Sequence, residues 1–405
     1  MTPRILLYGA TGYSGRLIAT EAAQRNNKFE LVLGSRDARA LANIGKRTKF
    51  DFTAFSLDDR QTVLRALRGF DVVINAAGPF AQTGEPLAKS AIESGCHYVD
   101  INGEVQVYKQ LDDLNASAKR REVTLVCGAG LTATVSDVML DRALGLVKQS
   151  NNKSINGGAI RIAVSQPAYF SRGSALTMLR SVREQVTVVR ASIDPKTGSQ
   201  VSPLRLTHVP VGKLERTFDF TMRDDSDSNL RSSRFGRRIA SATNLLDTLT
   251  AKHTANRHEL CPEIIESYVA MPSPLRLGYQ LGALSAFMFS LPGVQRLYRT
   301  QIAQFSEGPT DVERAGNRQR IVLEIQDKYR ETLIDWRVET PDPYDFTARS
   351  VLAVAEKLAV RSPNNHGWLT PAAVICGSLA NYSLSKLPLF EGCKFESKST
   401  GFQNP

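Results

Sequence analysis

The chain has 405 residues, with 51 Lys+Arg against 40 Asp+Glu for a formal net charge of +11, and apolar residues at 42% against 22% charged. A disordered chain carries fewer apolar groups and more charge, so this composition describes a globular protein. At ~100–200 residues per domain, the length excludes a single small binding module and predicts two domains or one large domain with an insertion.

Met1-Thr2-Pro3-Arg4 runs straight into an apolar strand pattern, without the basic region and cleavage site of a signal peptide. Residues 4–8 (Arg-Ile-Leu-Leu-Tyr) form that strand and enter a glycine-rich turn, followed by a helical pattern at Leu17, Ile18 and Ala22. Strands are predicted next at 30–33, 50–55, 71–75, 97–101 and 123–127, with helices over 37–44, 58–67, 85–93 and 105–119 between them. Short strands alternating with helices predict an α/β fold: a Rossmann-type, doubly wound parallel sheet with helices on both faces. The run Gln149 to Gly158, rich in Asn, Ser and Gly, is linker chemistry. Beyond it, strand-like runs at 159–165, 218–222 and 319–325 predict a second, α+β substrate domain. The expected division is 1–149 for a nucleotide-binding domain, 150–340 for the substrate domain, and 341–405 for a helical segment returning to the first. Asp224 to Asn229 is an acidic, serine-rich loop beside the arginines at 231, 234, 237 and 238.

The five cysteines, at 96, 127, 261, 376 and 393, are odd in number and form no C-x-x-C pair, so they read as reduced thiols in a cytoplasmic protein. The histidines at 97, 208, 253, 258 and 366 have no usual ligand spacing, and no metal centre is predicted. The basic balance would suit nucleic acid, an anionic membrane or a polyphosphate ligand. Arginines are scattered along the chain without forming a patch, so no nucleic-acid partner is expected and the phosphate reading needs a site.

That site is Gly9-Ala-Thr11-Gly12-Tyr13-Ser14-Gly15, at the first strand-to-helix turn. Glycines there allow a tight turn and close backbone approach, and the helix N-terminus offers N–H donors to a dinucleotide pyrophosphate. The spacing is G-x-x-G-x-x-G rather than G-x-G-x-x-G, and its position between strand and helix is the context that gives it meaning. The second strand ends Leu33-Gly34-Ser35-Arg36, and Arg36 lies 21 positions after Gly15, where an NAD site would place a carboxylate on the ribose. A serine and an arginine there suit a 2′-phosphate, so NADP(H) is the expected cofactor. Asp37 reads as the cap of the next helix.

The fourth strand ends at Asn75-Ala76-Ala77-Gly78-Pro79-Phe80, small residues that let backbone approach a cofactor at the carboxyl edge of the sheet. The fifth strand and its loop, His97-Tyr98-Val99-Asp100-Ile-Asn-Gly-Glu104, bring polar groups to the same edge. Period two places Tyr98 and Asp100 on one face. Tyr98, Asp100 and Glu104 are therefore the catalytic candidates, with helix capping the alternative role for the two carboxylates.

At this point the chain resembles the saccharopine dehydrogenase-like oxidoreductases, and within them the bacterial trans-acting enoyl reductase group. The resemblance is carried by the motifs at 9–15, 76–80 and 97–104, then Ser-Glu-Gly-Pro-Thr at 306–310 with Arg314, Pro-Tyr-Asp-Phe-Thr-Ala at 343–348 and Leu-Thr-Pro-Ala at 369–372. Where relatives carry Gly-Phe-Asp-Ser-Ile-Pro-Ser-Asp, this chain reads Gly130-Leu-Thr-Ala-Thr-Val-Ser136-Asp137, keeping the serine and aspartate but not the phenylalanine and proline. The resemblance implies an NADPH-dependent reductase of a small-molecule or carrier-bound acyl substrate, an enoyl thioester or related polyketide or lipid intermediate. An acyl carrier protein or polyketide synthase would then be a partner. An imine reductase of the saccharopine type, and a non-catalytic NADP-binding sensor or lipid-associated scaffold, are the alternatives.

Two further stretches stand out. Tyr382-Ser-Leu-Ser-Lys386 spells the Y-x-x-x-K of short-chain dehydrogenases, but it lies outside the sheet-building region and is read as coincidence. Leu277 to Val294 is 18 residues without a charge, interrupted by glycines and a proline and so a poor membrane span. It reads as a buried helix, or as a peripheral contact for lipid or an acyl chain flanked by Arg276, Arg296 and Arg299.

Overall fold

The computed structural model describes the chain apart from residues 1, 26–27, 151–154, 167, 182–184, 193, 195–201, 224–234, 281–286, 288–290, 305–306, 361–365, 378–381 and 399–405. The acidic loop at 224–229, Arg231, Arg234, Ser306 and most of 281–290 therefore lie outside the described residues. The chain divides into two compact units, one of residues 1–134 and 343–378, the other of 135–342 and 379–405. Each is assembled from two separated stretches of chain. The dividing point falls inside the helix Leu131–Gln149, upstream of the polar run at 149–158, and the segment 341–405 is shared between the units.

In the first unit, β1 (Arg4–Tyr8), β2 (Glu30–Ser35), β3 (Phe52–Ala54), β4 (Val72–Asn75), β5 (His97–Asp100) and β6 (Thr124–Val126) are all parallel. Their spatial order is β6-β5-β4-β1-β2-β3, and a seventh strand, Gly367–Leu369, pairs in parallel with the outer side of β6. The chain therefore winds one way from β1 and then the other, leaving a crevice at the carboxyl ends between β1 and β4. Ile5, Leu6, Leu7, Val72, Val73 and Ile74 have no solvent exposure, as expected of apolar runs covered on both faces. The connecting helices are α1 (Tyr13–Ala23), α2 (Ala38–Thr48), α3 (Arg60–Leu67), α4 (Phe80–Ser94), α5 (Val105–Asp113) and α6 (Asn115–Arg120). Asp37 and Asp59 cap α2 and α3, accepting the N–H groups of Ala40 and Gln61. Two helix boundaries differ from the sequence expectation. The α4 helix starts at Phe80 and carries Pro86 within it, and the single helix expected over 105–119 is broken at Leu114.

The second unit is built on a mixed sheet in which the strands Ala159–Val164, Ile264–Ala270, Gln319–Gln326 and Thr332–Thr340 are central. Its core includes Val188, Phe218, Phe220, Tyr268 and Val322. Arg161 lies among them, 7% exposed, bonded to Glu266 at 3.3 Å, Glu324 at 3.2 Å and Gln326 at 2.7 Å. The strand expected at 218–222 is instead Glu215–Asp219. It stops where the Asp219 carboxylate accepts the Thr221 N–H at 3.0 Å and Arg320 takes the Phe220 carbonyl at 2.9 Å, which removes those groups from the ladder.

The two units should respond differently to acid. Burial lowers the pKa of His97 in the first unit and His253 in the second from 6.5 to about 4, and burial raises that of Asp100 in the first from 3.8 to about 6. A depressed histidine pKa gives stability that is complete above pH 6.5 and lost as the pH falls toward 4. A raised carboxyl pKa gives stability that is complete below 3.8 and lost as the pH rises through 6. In the first unit the two groups oppose one another. In the second, burial likewise raises the Asp335 carboxyl, but against its own burial Asp141 is held low by His258 and Arg257 and so loses stability in acid together with His253; each histidine shift corresponds to about 3 kcal/mol at most. Asp219, held down to about 2, adds a further loss below pH 4. Trp368 lies in the first unit and Trp336 in the second, and both are buried. Melting curves of Trp336→Phe and Trp368→Phe variants between pH 7 and 4 are expected to show earlier loss for the unit reported by Trp336. Equal shifts for both tryptophans would contradict this assignment.

Candidate functional site

The glycine loop closes the crevice at the end of β1. Gly9 has φ +89°, and a Cβ there would lie 2.5 Å from the backbone nitrogen of Ala77, so the first turn presses directly on the end of β4. The N–H groups of Gly9 and Ala10 are taken by the Gly34 carbonyl at 2.8 and 3.1 Å, which ties the loop to the end of β2. No side chain caps α1 at Gly12, and its first turn carries no acidic residue, an arrangement suited to an anion. Arg16 folds back from α1 and donates to the Thr11 carbonyl at 2.7 Å, bringing a guanidinium to the loop. The sequence pattern did not single out Arg16; its place one turn into the helix was the available signal.

At the end of β2, Ser35 is 5% exposed and its hydroxyl accepts the Asp37 N–H at 3.0 Å. Arg36 is exposed. Its charge is felt by Tyr8, whose hydroxyl pKa is raised by burial and partly drawn back by that guanidinium. Tyr8 also packs on Phe55, with ring centroids 4.9 Å apart. The ends of β1, β2 and β3 thus bring together two aromatic rings, a buried hydroxyl and an accessible arginine.

The ends of β4 and β5 carry a buried polar chain. The Asn75 amide donates to Tyr98 at 3.1 Å and to Thr83 at 3.3 Å, while its oxygen accepts the Ala77 N–H at 3.0 Å. The Tyr98 hydroxyl donates to Asp100 at 3.0 Å, and the other oxygen of Asp100 accepts the N–H groups of Asn102 at 3.0 Å and Gly128 at 2.7 Å. Tyr98, Asp100 and Asn75 have no solvent exposure. Burial pushes the Asp100 pKa up to about 6, against its backbone hydrogen bonds, and drives that of Tyr98 well above the usual phenol value. The period-two expectation that Tyr98 and Asp100 share a face is met. Both side chains are sealed from solvent and bonded to Asn75, Asn102 and Gly128. Glu104 is partly exposed at the N-cap of α5 without a capping bond from its side chain; Asn102 instead bonds the Glu104 backbone N–H at 2.7 Å and its carbonyl at 3.0 Å. Thr83 and Asn102 complete the chain, and only their spacing from the quoted motifs could have drawn attention to them. Gly78-Pro79 is a cis peptide.

Elsewhere, Ser136 donates to Asp247 at 2.7 Å and Thr254 donates to Asp137, all deep in the second unit, so the retained serine and aspartate hold the helix Asp247–Arg257. Tyr382 donates to Asp141 at 2.9 Å, and Lys386 ends a separate 3-10 turn, so the Y-x-x-x-K spelling shares no helix face. Of the stretch from Leu277 to Val294, the described residues Leu277, Phe287 and Leu291 are 58, 63 and 42% exposed, so the expectation of a buried helix is not met at those positions; most of the other side chains there lie outside the described residues. Among the described residues no helix is long and apolar enough to cross a membrane.

Residues 5–126 match the saccharopine dehydrogenase NADP binding domain, so this part of the chain is an NADP-binding domain of that kind. The trans-acting enoyl reductase of Mycobacterium leprae is 32% identical over 133 residues, 31% of this chain and 32% of that protein. A lipid droplet localized protein of Caenorhabditis elegans is 30% identical over 148 residues, 33% of this chain and 34% of that protein. The match thus spans about a third of either relative. Over nearly the whole chain the fold resembles apo saccharopine dehydrogenase (L-Glu forming) of Saccharomyces cerevisiae, with TM-score 0.55, 13% identity, and 98% and 99% of the two chains covered. It also resembles the homospermidine synthase of Legionella pneumophila in complex with NAD, with TM-score 0.57, 11% identity, and 99% and 92% covered.

Proposed function

We propose that this chain is an NADPH-dependent reductase that delivers hydride to an electron-poor double bond, an enoyl thioester or related polyketide or lipid intermediate. The observation that carries the proposal is the uncapped glycine turn at Gly9 to Gly15 placed beside an accessible Arg36 at the end of β2. The relatives named as enoyl reductases support the acceptor class. The N-terminus of α1 would hold the pyrophosphate, Arg36 would meet the 2′-phosphate, and the backbone from Asn75 to Pro79 would border the nicotinamide. The cofactor supplies the hydride; the chain orients it and keeps the crevice ordered. Tyr98 and Asp100 position that crevice through Asn75, and Glu104, the more accessible carboxylate, is the candidate proton donor. Anaerobic incubation with NADPH and a panel of enoyl thioesters and imines, followed by mass spectrometry, is expected to reveal a gain of two hydrogens on an enoyl thioester. A gain on imines alone would replace this acceptor class.

The proton assignment has its own test. Glu104→Gln is expected to lower turnover at least tenfold with NADPH affinity retained, whereas Asp100→Asn should lower cofactor affinity and stability together. Full turnover by Glu104→Gln would leave the proton to water or to another residue.

A second reading is favoured by the individually exposed Leu277, Phe287, Leu291 and Leu297, with Arg276 and Arg296 adjacent to two of them in sequence. Such residues suit an anionic lipid interface or an acidic acyl carrier protein, and one relative is named for its lipid droplet localization. The cytoplasm is the compartment in which either partner would be met.

A further inference from the structure

The motif Pro-Tyr-Asp-Phe-Thr-Ala at 343–348 has no place in the cofactor site outlined so far. It begins the helix Pro343–Val360, which belongs to the first unit and packs on α1 and against β1, β4 and β5. Its buried face includes Phe346, Ser350, Val351 and Val354. Two contacts place its first turns at the carboxyl edge of the sheet. The Tyr344 ring stands edge-on to Tyr13, with centroids 5.2 Å apart and planes at 87°. The Thr347 hydroxyl accepts the N–H of Leu131, the first residue of the helix that follows β6, at 3.1 Å. One turn on, Ser350 donates to Thr134 at 2.8 Å. One helix, more than three hundred residues from the glycine loop, thus braces both that loop and the turn beyond β6.

Tyr13 is no ordinary neighbour. It is the first residue of α1, directly after Gly12, so its backbone sits in the turn that would hold the pyrophosphate. Beside the backbone bonds that tie Gly9 and Ala10 to Gly34, its ring gives the unit a side-chain handle on that turn, because the glycines around it have no side chains to pack. An edge-to-face aromatic contact is directional, and an aliphatic side chain of similar bulk does not reproduce it.

We infer that Tyr344 is a positioning residue of the NADP site, fixing the pyrophosphate-binding turn through the ring of Tyr13. This rests on the glycine loop being the dinucleotide site. It predicts that NADPH and NADH depend equally on Tyr344, because the pyrophosphate is common to both, whereas adenosine 2′-monophosphate, held at the Arg36 end, does not.

The test uses the full chain with Tyr344→Phe, Tyr344→Leu and Tyr344→Ala, titrated with NADPH, NADH and adenosine 2′-monophosphate alongside apo-protein melting curves. Wild-type protein that bound no NADPH would sink the site itself, independently of Tyr344. With that binding in hand, the Phe variant is expected to match wild type. The Leu and Ala variants should bind both dinucleotides about tenfold more weakly, with adenosine 2′-monophosphate affinity unchanged and the Leu variant melting like wild type. Dinucleotide affinity retained by the Leu variant would overturn the inference. So would a loss shared by all three ligands and matched by a lowered melting temperature in the Leu variant, the mark of a purely structural role.

Discussion

Replacing Arg36 with alanine is expected to weaken NADPH tenfold to a hundredfold and to leave NADH nearly unchanged. A hydrogen bond to a charged group is worth ~1.5–3 kcal/mol, which is the source of that range. The effect should fall on Arg36 rather than be shared with Ser35, because Ser35 is almost fully buried whereas Arg36 is exposed. Since Arg36 is exposed, the variant should melt like the parent, so affinity and stability separate cleanly. Fluorescence titration with both cofactors measures the ratio directly, and equal losses for NADPH and NADH would remove the 2′-phosphate assignment.

Gly15→Ala should have the larger effect. A Cβ at that position would stand 2.1 Å from the Gly9 carbonyl oxygen and 2.8 Å from the Ala10 Cα. Both obstacles are backbone, so α1 must move away from β1, and overpacking of this kind costs ~1–3 kcal/mol or more. The displaced helix N-terminus would carry its N–H groups off the pyrophosphate, and NADPH binding is expected to fall by more than about a hundredfold. Gly12→Ala offers the contrast, since its Cβ would lie 3.4 Å from the Gly9 oxygen, an ordinary contact. It should leave melting close to wild type and still weaken the cofactor, because the added methyl occupies the approach of the phosphates. A Gly15→Ala protein that bound NADPH normally would show that the loop is a structural turn only.

The first unit was legible because its strands are apolar runs alternating with helical patterns, one of them announced by its cap Asp37. The strand Gly367–Leu369 was not, since three residues carry no period and its partner β6 lies far upstream. In the second unit, periodicity misleads for a different reason. Arg161, Glu266, Arg320 and Arg337 are each less than 9% exposed and point inward to form ion pairs or hydrogen bonds. Polar residues that a reading of alternation would turn outward are therefore interior; the strands Ile264–Ala270 and Thr332–Thr340, which carry Glu266 and Arg337, were missed, whereas the runs at 159–165 and 319–325 were legible despite Arg161 and Arg320. In the site, alternation placed Tyr98 and Asp100 together but could not reveal that both are sealed from solvent. Tyr344 was visible only as part of a resemblance, because its partner Tyr13 is brought to it by the path of the chain and not by spacing.

The outer side of β6 is covered by Gly367–Leu369, a strand that a ribosome makes more than two hundred residues later. At ~5–20 residues per second, the nascent sheet waits roughly ten to fifty seconds for it. During that interval an unpaired edge is a template for pairing with another growing chain. The edge in question is only the three residues Thr124–Val126, too short to hold a stranger firmly, and that brevity protects the half-made domain on the polysome until its own last strand arrives.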